Sequence, residues 1–371
     1  MRRWAALIGV ALMVGAVIGD QPVRRTLYDH GSSYPRVIRL VDGRLLTSVT
    51  TNINGVGVGV IEASDDNGTT FHELAEIRDA TGADVCCATL FDLPSRVGDL
   101  PGGTVLWAAS TGTGTGTARQ RLWASTDDGV DWRFVSDIAV TPNGYPTWEP
   151  SLTVATDGRL VAFYSDETDK AHHDQKLAQV RSGDGVHWTD YRDTVVSDTF
   201  VVRPGMANVI RLPDNGYFMS YEVCNNDLVH LCASYYRRST NGWDYGDPHD
   251  LGTEIRTTDG KYARHTPYPA WSAGPGPHGT ILLISEMVVH ADGSIAPENG
   301  STILANDHLG NGPWYEIPAP VAVADVNNNG CKNFSPALLP SPDGRSVLEV
   351  DTDLDGPVCK TYYATGPLDH S

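Results

Sequence analysis

Short apolar segments separated by polar, glycine-bearing turns recur along the chain. Six times a turn glycine opens an apolar strand: DGRLLTSV at Gly43, GGTVLWAA at Gly103, DGRLVAFY at Gly158, NGYFMSYE at Gly216, HGTILLIS at Gly279 and DGRSVLEV at Gly344. Successive glycines lie 60, 55, 58, 63 and 65 residues apart. Each turn follows another short apolar segment, as in YPRVIRLVDG and VIRLPDNG, so each pair reads as a hairpin. A second signal falls about midway between the first: SDDNGTTF from Ser64, STDDGVDW from Ser125, SGDGVHW from Ser182 and STNGW from Ser239, with NDHLGNGPW from Asn306 a degenerate fifth. In such a turn Asp or Asn bonds back to loop amides, Gly takes the positive-φ position, and the aromatic packs into the sheet. No stretch carries the period of a long amphipathic helix. Six strand-rich units predict an all-β fold, a six-bladed β-propeller. The N-terminal RRTLYDH segment is expected to complete the last blade and close the ring.

The first residues break this pattern. Arg2 and Arg3 precede an uninterrupted apolar run from Trp4 to Ile18, followed by Gly19 and polar chain. A basic start, a run too short to span a bilayer comfortably and a small residue at the cut predict a signal peptide over 1–19. The propeller is expected over 20–371 as one domain, secreted, with no stable membrane association after cleavage.

Charge and cysteines narrow the partners. The formal net charge is −19, which becomes −21 once Arg2 and Arg3 leave with the signal. An acidic surface repels phosphate backbones, so nucleic acid is not an expected partner. An exported chain with six cysteines predicts disulfides, Cys224–Cys232 and Cys331–Cys359. Cys86 and Cys87 are adjacent, either bonded to each other or free. With no CxxC and no histidine pair at ligand spacing, no metal and no cofactor is expected.

In a propeller the innermost strand of each blade lines the central channel. The starts of those strands supply the candidate site: Tyr34 and Arg36, Cys86 and Cys87, Trp148 and Glu149, Arg203, His265 and Tyr268, Asn333 and Ser335. Aromatics, arginines and small polar groups around a carboxylate suit a sugar. Glu222 ends the apolar strand of the next blade, and Asp166 and Glu167 end the equivalent strand of blade three. Glycoside hydrolysis needs two carboxyl groups facing one anomeric carbon, about 5–5.5 Å apart for retention and about 6.5–9.5 Å for inversion.

Two resemblances sharpen this reading. The Ser-x-Asp-x-Gly-x-x-aromatic turns resemble the Asp-box hairpins of sialidase-like propellers, in which Asp66, Asp127 and Asp184 would be scaffold. The elements WEP, YSDE, QKL, an Asp-box turn, RPGM and a terminal Tyr-Glu, in order from Trp148 to Glu222, resemble the exo-arabinanases of glycoside hydrolase family 93. That resemblance implies a six-bladed propeller and retaining hydrolysis of α-1,5-linked arabinan from its chain end. It also implies two catalytic glutamates, Glu149 as acid/base and Glu222 as nucleophile. Tyr34, Arg36, Trp148, Asp166, Glu167, Arg203 and Tyr268 are expected to line the substrate pocket of a monomer that takes a poly- or oligosaccharide. Two alternatives stand beside it. One is a sialidase with Arg36, Arg203 and Arg264 around a carboxylate; the other is a non-catalytic glycan- or protein-binding propeller.

Overall fold

A computed structural model of the chain describes residues 22–368, apart from positions 115, 142 and 275. The signal peptide expected over 1–19 lies outside the described residues. Among those residues there are strands and no helix, so none could cross a membrane as a helix.

The strands fall into six antiparallel sheets. In blade one, Ser32–Arg39, Leu45–Ile53, Val56–Ser64 and His72–Ile77 follow one another from the channel outward. Blade two repeats the order with Val85–Asp92, Val105–Thr111, Arg119–Ser125 and Arg133–Val140, and blade three with Thr147–Val154, Leu160–Asp166, Lys176–Ser182 and Trp188–Val195. The inner strands of blades four, five and six are Arg203–Arg211, Tyr268–Ser272 and Ala337–Pro340. Each inner strand packs against the next, and the last returns to the first, which closes the ring. The predicted six-bladed propeller is the fold observed.

Why the sheets pack this way follows from their sequence. The second strands are apolar on both faces: Val105–Thr111, Leu160–Asp166 and Tyr217–Cys224 are buried throughout. Each sheet therefore needs a neighbour on both sides. Six apolar clusters meet that need, one at each blade-to-blade interface. Burial of this kind contributes roughly 25 cal/mol per Å² of apolar surface.

The ring is closed as expected, by Arg25–Tyr28 pairing with Val358–Pro367 as the outer strand of blade six. Leu27 and Tyr28 sit in the core between blades six and one. One departure from the six-fold pattern matters below. After Thr280–Ile284 of blade five the chain crosses to blade four, where Met287–Val289 pairs with Tyr262–Arg264.

Both predicted disulfides, Cys224–Cys232 and Cys331–Cys359, are present, and Cys86 and Cys87 are free thiols. The repeated polar turns connect third to fourth strands: Asp66 accepts from the amide of Thr70, Asp127 from Asp131, and Asp184 from Val186 and His187.

Leu27 tests the closure. Leu27→Ala should cost about 2–5 kcal/mol, the usual loss for emptying an aliphatic core position. Because the strand joins the ends of the ring, the loss should appear as a lower midpoint of one cooperative transition in urea. An unchanged midpoint would show that the N-terminal strand does not hold the ring.

Candidate active site

The site begins with a fault in the strand ladder. On blade three, Trp148 lies opposite Ser165 and Ser151 opposite Phe163, so Tyr164 alone faces both Glu149 and Pro150. The same two-against-one bulge recurs at Tyr34–Pro35, Cys87–Ala88 and Met206–Ala207 on the inner strands of blades one, two and four. Tyr34, Cys87, Glu149 and Met206 all have positive φ, at 55°, 57°, 49° and 55°. Thr266 and Ser335, just before the inner strands of blades five and six, match them at 49° and 56°. Prolines follow four of the six, and a proline has no N–H to lose where the ladder is already broken. A bulge re-aims a side chain out of strand alternation. Here it re-aims four side chains at one mouth of the channel, Glu149 among them, and the positive φ of Thr266 and Ser335 gives blades five and six their counterparts.

The second strands reach under this ring. Ser165 Oγ donates to Glu149 Oε2 at 2.7 Å and accepts from the amide of Met206, on the next blade, at 3.0 Å. One blade further, Glu222 Oε2 accepts from the amide of Thr266 at 2.9 Å. The two positions are counterparts, since Ser165 pairs with Trp148 and Glu222 with Gly205, each just before its bulge. A Cβ at Gly205 would lie 2.5 Å from Gln175 Nε2, so any larger residue there would have to displace Gln175. Gln175 fixes this corner by donating to Pro204 O at 3.0 Å.

The electrostatics separate the two glutamates. Glu149 keeps partial solvent access, but the protein packed round its carboxyl is the chief influence and pushes its pKa up to about 7. The Ser165 hydrogen bond opposes that rise, the Glu222 charge adds to it, His265 opposes it, and Glu167 adds again. Glu222 is buried. His265 Nδ1 stands 4.0 Å from Glu222 Oε2 and 2.9 Å from Glu286 Oε2. Burial pulls the His265 pKa down, yet Glu222 and Glu286 together outweigh it and carry it to about 9. One carboxyl that keeps its proton near neutrality beside a second held by an amide and a cation can divide acid and nucleophile roles.

The other sequence-nominated residues take several places. Tyr34 and Arg36 belong to the mouth: Arg36 stacks over Tyr34 at 4.1 Å and Tyr268 at 5.0 Å, and donates to Ser335 Oγ at 3.1 Å. Trp148 is half-buried on the strand beside Glu149. Glu167 and Arg203 pair at 2.8 Å, with Arg203 also bound to Asp174 at 2.5 Å and Glu167 to Lys170 at 2.9 Å. Asp166 turns to its own blade, where it accepts from Tyr191 and from the amide of Thr168, both at 2.8 Å. Strand alternation explains that: Ser165, not Asp166, shares the side of Glu149. Sequence reasoning missed Ser165 and Glu286. The first could have been read from alternation in YSDE; the second had no local signal. Arg36 and Arg203 are engaged as described, which offers no ready fork for a sugar carboxylate.

No protein-family model matches the sequence, and no curated protein matches it. Solved structures do. An α-L-arabinanase of Penicillium chrysogenum, complexed with arabinobiose, is 27% identical, with a TM-score of 0.79 over 94% of this chain and 99% of that one. An α-L-arabinofuranosidase of Fusarium graminearum with an iminosugar inhibitor is 25% identical, with a TM-score of 0.80 over 95% and 99%. A family GH93 α-L-arabinofuranosidase of the same fungus, with arabinobiose, shares the fold at 24% identity and a TM-score of 0.79 over 94% and 98%.

Ser165 is the test of how Glu149 is held. Ser165→Ala removes a bond that favours the charged carboxylate, so the Glu149 pKa should rise further above 7. If Glu149 must be protonated for turnover, the alkaline limb of the activity profile should move to higher pH. A limb that stays in place or moves down would contradict the assignment.

Proposed function

We propose that this chain, a glycoside hydrolase whose structural likenesses support its assignment to family 93, is a secreted exo-glycosidase that cleaves α-1,5-linked L-arabinan with retention. The observation that carries the reading is the juxtaposition of Glu149 and Glu222. One is a mouth carboxyl pushed up to about 7, and the other is a buried neighbour held by the Thr266 amide beside a charged histidine. Glu149 donates its proton to the departing glycosidic oxygen while Glu222 attacks the anomeric carbon, forming the glycosyl-enzyme bond as the C–O bond breaks. Glu149, now charged, takes a proton from water; the hydroxyl cleaves the glycosyl-enzyme, and both groups return to their starting states. Two inversions give retention.

The substrate class draws on the same site. The mouth carries Tyr34, Tyr268 and Trp148 with small hydroxyls, with Arg36 held by two tyrosine rings and Ser335 and Arg203 by Glu167 and Asp174, which suits a neutral sugar over an anionic one. Arabinobiose, bound in the Penicillium and Fusarium relatives, is such a sugar. The exo mode rests on the motif resemblance, and secretion on the Arg2–Ile18 leader together with the two disulfides.

Purified protein should release arabinobiose from linear arabinan and leave a sialyl substrate intact, as read by product sizing. Glu149→Ala should lower kcat by about 10²–10⁴-fold, the usual contribution of general acid–base catalysis, and Glu222→Ala at least as much. Both variants should keep the wild-type melting temperature within a few degrees. Azide should rescue each variant on an activated aryl substrate, with a retained azide product from the acid/base variant and an inverted one from the nucleophile variant. Near-full activity in either variant would defeat the pair. In the wild type, kcat/KM should fall as pH rises through about 7, because Glu149 then loses the proton it must donate.

A further inference from the structure

We propose that His265, fixed between Glu222 and the buried Glu286, is a positioning residue that sets a cation beside the nucleophile and leaves one of its oxygens free to attack. This rests on the reading of Glu149 and Glu222 given above and deepens it.

The backbone places the imidazole first. His265 has φ of 68° and Thr266 of 49°, so two consecutive non-glycine residues occupy the left-handed region. Such a turn persists only where its surroundings over-determine it. The His265 amide donates to Cys232 O at 2.9 Å, and Cys232 is tied to Cys224, two residues beyond Glu222. On the other side the Glu286 amide donates to His265 O at 3.0 Å. Asn333 Nδ2 then donates to Ser285 O at 2.9 Å and Glu286 O at 2.7 Å. The disulfide loop of blade four, the strand crossing from blade five and a loop before blade six thus all converge on this one residue.

The charges give the placement its purpose. Glu286 is fully buried, and among the described residues His265 is the cation paired with it. A buried carboxylate without a counter-charge is costly, so an imidazolium here supplies the counter-charge of Glu286 and faces Glu222 at once. The other charged groups facing this cluster are Arg264, which opposes the His265 charge, and Glu149 across the mouth. Asp351 is a further like-charged neighbour of Glu286, and burial drives its pKa well up.

At 4.0 Å the histidine acts on Glu222 through its field and does not occupy the oxygen with a proton. Oε2 of Glu222 is already held by the Thr266 amide. Oε1 has as its neighbour Cys224 Sγ at 3.5 Å, a disulfide sulfur with no proton to give. Oε1 is therefore the oxygen left with its lone pairs free, and the assembly presents it as the attacking atom.

The test uses His265→Gln, Glu286→Gln and the double variant of the full-length protein, with kcat and KM measured on linear arabino-oligosaccharides from acid to alkaline pH. His265→Gln should lower kcat with little change in KM and move the alkaline limb of the profile upward, because Glu149 loses a cation that opposes its rise. A residue with only a structural role would lower activity without moving that limb. In the Glu286→Gln background the His265→Gln change should cost less than it does alone, because the pair acts as one unit. An unmoved alkaline limb, or losses that simply add, would overturn the inference. Should His265→Gln not fold, His265→Arg, which keeps the cation, must retain the wild-type limbs while Glu286→Gln alone must lower kcat. A wild-type protein inert on every arabino-oligosaccharide would instead defeat the reading of the site itself, and this inference with it.

Discussion

Four of the six inner strands surrender one position of their hydrogen-bond ladder where they enter the channel, and the chemistry of this protein depends on that surrender. A regular strand sends successive side chains to opposite faces, so it would bury Glu149 between blades or hide it behind its neighbours. The bulge instead turns Glu149, Tyr34, Cys87 and Met206 into the mouth, with Thr266 and Ser335 completing the ring. A non-glycine residue at positive φ costs on the order of 1–3 kcal/mol. The six apolar interfaces between blades supply the stability that offsets it.

The broken ladder also leaves amides that need partners, and the adjacent blade provides them. Ser165 accepts from Met206 and Glu222 from Thr266, so side chains of one blade satisfy the backbone of the next. These bonds make the mouth a joint property of neighbouring blades. The same geometry that satisfies an orphan amide aims a functional group: Ser165 donates a hydrogen bond to Glu149, and Glu222 is left with one unoccupied oxygen. Structure and chemistry use the same atoms here.

Charge is distributed by the same economy. The chain is strongly acidic, at −19, yet few cations reach the mouth. Arg203 is committed to Glu167 and Asp174, which stiffens the corner carrying Gly205 and Met206. Arg36 is committed to two tyrosine rings and Ser335. His265 is left to serve both Glu222 and Glu286, and the two glutamates drive it to remain charged.

The sequence by itself determined the repeat and the blade count, which are written in local periodicity, and from that ring and the cysteine spacing it nominated the closing N-terminal strand and both disulfides. It also nominated Glu149 and Glu222, since a carboxylate beside a proline at a strand start, and another ending an apolar strand, are visible without a fold. What it misjudged was direction. Asp166 and Ser165 are adjacent in YSDE, and only the register against Thr147–Val154 sends Ser165 to Glu149 and Asp166 to Tyr191. Least legible was the group of Glu222, His265 and Glu286. Its members come from two blades and meet because the strand Met287–Val289 crosses to the neighbouring sheet. Local pattern reports which side a residue takes in its own strand, whereas the distance between charges on different blades is set by how the sheets pack.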